Sequence, residues 1–194
     1  VDTDVVVLAI ACFHRLSVPV SELWVAFGAG KHLRYLPIHL LATLLGSDRS
    51  CALPFFHAFT GCDTVSCFTG RGKKTAWETW NSFPEITTAF VKLSSEPADV
   101  QPFMPLLQRF VILMYDRSSS KASVNDLRKH LLQRKAEPWK ASHQQKQLCC
   151  STLRERFIRA ATAGISHFLH SRFYQPRVTG VGLMMAVVSG CHCG

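Results

Sequence analysis

Asp2-Thr3-Asp4-Val5-Val6-Val7-Leu8-Ala9-Ile10 opens the chain with two carboxylates and an unbroken apolar run rich in β-branched side chains. Such a run reads as a buried, parallel strand, because a strand covered on both faces shows no alternation. Alternate residues of an extended segment share a side, so Asp2 and Asp4 are expected to point together at the sheet edge. Two carboxylates converging there suit a hard divalent cation, which takes few protein ligands and keeps several waters. The competing reading is that one carboxylate satisfies a neighbouring loop, and an Asp-x-Asp pair by itself is common.

Working outward, Leu23 to Phe27 reads as a second strand, Gly28-Ala29-Gly30-Lys31 as a turn and His32 to Ile38 as a returning strand, together a β-hairpin. Helices are expected over Ile38 to Leu45, ended by Gly46, and over Ala52 to Thr60, closed by Gly61, with Ser47 and Asp48 of N-cap type between them. His39 and His57 lie on these apolar helices and read as packing residues. Gly61-Cys62-Asp63 follows. Asp63 is either an ordinary N-cap or a third metal ligand.

The next motif is Phe68-Thr69-Gly70-Arg71-Gly72-Lys73-Lys74-Thr75-Ala76. Thr64 to Phe68 and Lys73 to Trp80 flank its turn, a helix–turn–helix unit at about 60–80. Glycines let a backbone approach a phosphate, and the N–H groups that start a helix point at it. A mononucleotide loop of the GxxxxGK[ST] type is excluded: Cys67 stands where its first glycine belongs, and Lys74 where its Ser or Thr belongs. A glycine-rich turn between two helices, here Gly70, Arg71, Gly72, Lys73 and Lys74, suits contact with a duplex backbone instead. Trp77 and Trp80, three residues apart, read as core.

The 194 residues are 47% apolar, which suffices for a folded core and excludes a mostly disordered chain. Charge is divided unevenly. Residues 1–100 carry 8 basic and 9 acidic side chains, and residues 101–194 carry 14 basic and 4 acidic. A basic second half suggests a polyanionic partner, although lysines and arginines also serve simply to solvate helices. Residues 1–93 read as one unit, 94–105 as a linker, 106–177 as a basic helical region and 178–194 as a tail. Four of the eight cysteines sit in or beside apolar runs, and no second Cys/His pair completes a zinc site with Cys191-His192-Cys193. That pattern favours a reducing compartment, nucleus or cytoplasm, and not secretion. The apolar run from Val178 to Ser189 is too short to span a bilayer.

In order and spacing, residues 1–80 resemble the flap endonuclease/XPG family of PIN-like nucleases. There an Asp-x-Asp metal pair opens a strand, a Gly-Ser/Cys-Asp motif adds another metal carboxylate, and a helix–two-turn–helix with a G-x-G-x-K/R core grips DNA. The resemblance implies an α/β fold of the PIN-like, Rossmann-like three-layer sandwich type. It implies Asp2, Asp4 and Asp63 as ligands of Mg²⁺ (or Mn²⁺), Gly70 to Lys74 as the DNA grip with a K⁺ ion, and duplex or branched DNA as partner. Gly46-Ser47-Asp48 matches the metal motif literally, but no glycine turn follows at the right distance. The family carries further carboxylates upstream of its Asp-x-Asp strand, so this chain reads as a fragment, inactive by itself. The alternative is a DNA-binding remnant without hydrolysis. Phe110 to Arg117, Val124 to Arg128 and Cys191-His192-Cys193 resemble a group of animal proteins that carry the same block, several of them related to mobile elements.

If the basic half meets DNA, affinity should fall steeply with salt, because each neutralised phosphate releases counterions. Fluorescence anisotropy with a labelled duplex at two ionic strengths measures this, and an affinity independent of salt rejects it.

Overall fold

The opening apolar run is a helix, not a strand, in the computed structural model of the chain, which describes residues 3–16, 20–62, 67–95, 100–133, 155 and 183–185. Helix α1 spans Thr3–Phe13 and buries Val7, Ile10, Ala11 and Cys12. Positions 7, 10 and 11 recur at the spacing of one helix face. An apolar run with no polar interruptions hides that period, and hydropathy alone does not separate a buried strand from a buried helix. The correction removes the expected alignment of Asp2 with Asp4, since helical residues two apart diverge by about 200° around the axis. Asp2 lies outside the described residues, and Asp4 stands in the first turn of α1.

The hairpin forms as expected. Strand β1, Glu22–Phe27, pairs antiparallel with β2, Arg34–Pro37, placing Trp24 opposite Pro37 and Phe27 opposite Arg34. A three-residue strand β3, Leu183–Met185, runs parallel to β1, giving the order β2-β1-β3. The architecture is mixed α/β and mostly helical, with this small sheet at one side.

Helix α2, Ile38–Thr60, carries a break at Gly46, whose φ of 77° and ψ of 166° no helix allows. The break divides it where the sequence places the junction of two helices, though the second begins earlier than Ala52. Helix α3 is Lys73–Ser82, α4 Ile86–Ser95, α5 Met104–Tyr115 and α6 Val124–Gln133. Their core is aromatic. Phe55, Phe59, Trp80, Phe90 and Phe110 have no more than trace exposure. The Phe90 ring lies 5.4 Å from Phe55, 5.3 Å from Trp80 and 5.4 Å from Phe110, centroid to centroid, the last two edge-on. Such edge-to-face pairs add to the burial of the rings themselves. The indole N–H of Trp80 donates to Thr87 Oγ1 at 2.9 Å, so the buried indole keeps its hydrogen bond.

No break in the core falls at 94–105. Leu107, Phe110 and Leu127 are fully buried in the same cluster as α2 and α4. The Pro-, Ser- and Glu-bearing stretch read as a linker thus joins two helices of one core, and α5 belongs with the first half. Helix α5 ends on Asp116, whose exposed carboxylate accepts bonds from the Ser118 hydroxyl at 2.9 Å and the Ser118 N–H at 3.2 Å. These bonds hold its pKa below the usual value. The expected helix over 153–173 and the tail beyond it fall, apart from residues 155 and 183–185, outside the described residues. Among the described residues no helix is long and apolar enough to cross a membrane.

Trp80→Ala removes the fully buried indole and takes from the partly buried Thr87 hydroxyl its indole donor. It should cost about 3–5 kcal/mol in urea denaturation, whereas Trp77→Ala, at the half-buried neighbour, should cost clearly less.

Candidate nucleic-acid interface

Helix α2 stops at Gly61, whose φ is 115° and whose N–H donates to Ala58 O at 3.2 Å. A Cβ built there would lie 2.8 Å from Cys67 Cα and 3.0 Å from Cys67 N. The chain that leaves the helix and the chain that returns to it therefore touch backbone to backbone, and only glycine fits. Phe68 follows, 1% exposed, with its ring edge-on to Phe59 at 5.2 Å. This buried ring anchors the turn. The Arg71 N–H donates to Phe68 O at 3.0 Å, closing four residues around Gly70, whose φ is 69°. A turn with positive φ at its third residue favours glycine there.

Gly72, with φ −85° and ψ 177°, is the N-cap of α3 and supplies no side-chain cap. The first helical bond runs from Ala76 N–H to Gly72 O at 3.1 Å. The amides before it have no acceptor within the helix, as at every helix start. A Cβ on Gly72 would meet nothing within 4 Å. Gly72, Lys73 and Lys74 are exposed. The space outside residue 72 is therefore open.

Two of the three cations of the motif turn toward the protein. Lys73 Nζ donates to His57 O at 2.9 Å and to Thr60 Oγ1 at 3.2 Å, across the C-terminal turn of α2. Partial burial of the ammonium lowers its pKa from the usual 10.5; Cys62, Asp4 and Cys67 nearby pull the other way. Arg71 Nη2 donates to Tyr115 O at 3.0 Å, and its guanidinium lies 5.3 Å from the centre of the Tyr115 ring. The Tyr115 hydroxyl in turn donates to Thr69 O at 3.2 Å. Arg71 and Tyr115 thus clamp the turn to the end of α5. Lys74 is the cation of the motif that stands exposed without a bond among the described residues.

Asp4 reaches the same place from α1. Its Oδ1 lies 2.6 Å from His57 Nε2, with side-chain exposures of 23% and 12%. His57 was expected as a packing residue. Its partner is 53 residues away, and nothing in the local pattern signals the pairing. Asp2 and Asp63 lie outside the described residues. Among the described residues no three His, Cys, Asp or Glu side chains come together to hold a metal ion. One carboxylate beside an imidazole, with an ammonium and two thiols in its field, is not a donor set that suits Mg²⁺, which prefers several oxygens. Comparison with protein-family models, with curated proteins and with solved structures found no match.

Gly61→Ala puts a methyl group against Cys67 backbone at an unfavourable φ, and should destabilise by more than about 1 kcal/mol in chemical denaturation. Lys73 gives a pH signature. Its folded pKa is depressed, so the unfolded chain binds more protons between that value and 10.5. The Lys73 contribution is full above 10.5 and is lost as pH falls through the folded pKa. Wild-type stability relative to Lys73→Met should therefore rise as pH climbs into the alkaline range, measured by denaturation at each pH.

Proposed function

We propose that this chain is a DNA-binding piece of a PIN-like nuclease, holding the backbone of duplex or branched DNA at the turn from Gly70 to Lys74. The observation that carries the reading is the start of α3. An uncapped helix N-terminus stands behind two glycines, with no Cβ on its approach and open space around Gly72. Backbone N–H groups at such an end donate to a phosphate oxygen, and the helix dipole favours the negative charge. Lys74 adds an exposed cation beside it. Arg71 and Lys73 contribute by holding the turn in shape, and K⁺ is the ion this reading assigns to the turn. On this reading the work belongs in the nucleus or the cytoplasm.

Metal-dependent hydrolysis is the second reading, favoured by one observation. Asp4, near the chain start, is delivered to His57 in the last turns of α2, the helix after which Asp63 follows in the sequence. With Asp2 and Asp63 beside it, the set would be carboxylate-rich and suited to Mg²⁺ or Mn²⁺. Asp4 alone does not fit such an ion, so no hydrolytic step is assigned to it here.

Gly72→Val tests the first reading. It blocks the approach while φ at 72 stays ordinary, at a stability cost of about 1 kcal/mol for a poor N-cap. Affinity for a labelled duplex should fall about tenfold or more, the worth of one charge-assisted bond, and Lys74→Gln should reduce the salt slope by about 1. A folded Gly72→Val protein that binds duplex as wild type does rejects the reading. The second reading predicts, for a longer protein containing this chain, Mg²⁺- or Mn²⁺-dependent cutting of branched DNA that Asp4→Asn abolishes.

A further inference from the structure

The hairpin between β1 and β2 holds a second feature that the glycine turn does not use. Phe27, Gly28, Lys31, His32, Leu33 and Arg34 line an open cleft of about 480 Å³. That volume falls in the range of small-ligand sites. Its rim is cationic: Lys31, His32 and Arg34 are exposed, and among the described residues none of the three side chains has a hydrogen bond or an ion pair. Nothing nearby in sequence neutralises them, since no Asp or Glu occurs between Glu22 and Asp48. Its apolar part is the Phe27 ring and Leu33, the latter 49% exposed. The Arg34 guanidinium lies 5.3 Å from the centre of the Phe27 ring, its partner across the strand pair. Stacking uses the face of a guanidinium and leaves its in-plane N–H donors for a ligand.

The loop is also built to hold its shape. Gly28 has a φ of 92°, and a Cβ there would fall 2.5 Å from His32 O, so the turn closes tightly on itself at that point. Gly30, with φ 54°, faces open space. The His32 N–H donates to Ala29 O at 3.1 Å and the Leu33 N–H to Gly30 O at 3.1 Å. A fixed loop loses little entropy when it binds.

We propose that this hairpin cleft binds a nucleoside phosphate unit, with the phosphate on Lys31, His32 and Arg34 and the base against Phe27 and Leu33. A purely apolar ligand would leave three cations unused. Inorganic phosphate would leave the apolar wall unused. A nucleotide uses both, because every base has a π-face for an aromatic or guanidinium plane and its phosphate takes charge-assisted bonds. The unit comes either from a single strand of nucleic acid or from a free nucleotide. The cleft lies on other elements than the turn at 70–74 and does not rest on the duplex reading.

The test uses the full chain and the double variant Lys31→Gln/Arg34→Gln, both at exposed positions, with circular dichroism to confirm the fold. A fluorescein-labelled short oligothymidylate is titrated by anisotropy, with thymidine 5′-monophosphate, thymidine and inorganic phosphate as competitors. Wild type should bind, and the double variant should bind about tenfold or more weakly, the worth of a lost charge-assisted contact. Phe27→Leu should weaken the oligonucleotide and the monophosphate and leave inorganic phosphate unchanged. An oligonucleotide that binds far more tightly than the monophosphate, per nucleotide, supports a strand as the source; comparable affinities support the free nucleotide. Equal binding by wild type and the double variant overturns the proposal. So does competition by thymidine, or by inorganic phosphate, as effective as that of the monophosphate.

Discussion

Phe59 is the side chain on which the arrangement of the turn depends. It is fully buried in the last turn of α2, and its ring lies 5.8 Å from Phe55, 5.2 Å from Phe68, 6.3 Å from Phe90 and 6.1 Å from Phe110. Those partners come from α2 itself, the returning chain, α4 and α5. Seating Phe68 against Phe59 fixes where the chain re-enters after the loop. That re-entry brings Cys67 against Gly61, and the distance leaves no room for a side chain at 61. The glycine in the sequence is thus a consequence of an aromatic contact several residues away. The orientation of Gly70 and Gly72 follows, because the turn is closed from Phe68 O to Arg71 N–H.

Electrostatics at the end of α2 reinforce the same geometry. The carbonyls of its last turn carry partial negative charge, and a cation placed there is favoured. Lys73 supplies that cation from the start of the next helix. Helix α3 thereby begins beside the end of α2, with Gly72 as its N-cap. Asp4 and His57 tie α1 to the same point. The cost of drawing the ammonium partly out of water shows in its lowered pKa, which the nearby thiols and Asp4 only partly offset.

Much of this was legible in the residues. Gly46 and Gly61 announced helix ends, the hairpin followed from Gly28 to Lys31 between two apolar stretches, and Lys73 was read as a helix start, because each rests on local chemistry that needs no partner. The strand expected over 4–10 was lost because nine apolar residues in a row, Val5 to Phe13, satisfy either period. Only the packing of Val7, Ile10 and Ala11 on α2 chooses between them. The boundary at 94–105 misled for a related reason. Prolines and serines mark a loop, but whether a loop joins two units or two helices of one core is decided by Phe110 meeting Phe90, a contact between distant residues. The roles of Arg71 and Lys73 were illegible on the same ground: a basic residue in a glycine turn reads alike whether its charge faces a phosphate or a carbonyl.

That last point changes how the motif works. With Arg71 committed to Tyr115 and Lys73 to His57 and Thr60, the charge that would meet a phosphate on the proposed reading is mostly the partial charge of main-chain N–H groups, joined by Lys74. Side-chain cations on long stems lose rotamer freedom when they grip a ligand, whereas amides at a helix start are already fixed. Committing two cations internally holds those amides in place before any ligand arrives. Recognition by amides is also indifferent to base sequence, since phosphates carry none. If the proposed duplex contact holds, a turn built this way would select DNA by the course of its backbone, and the size of residue 72, with no charge of its own, would matter more than the charge of residue 73.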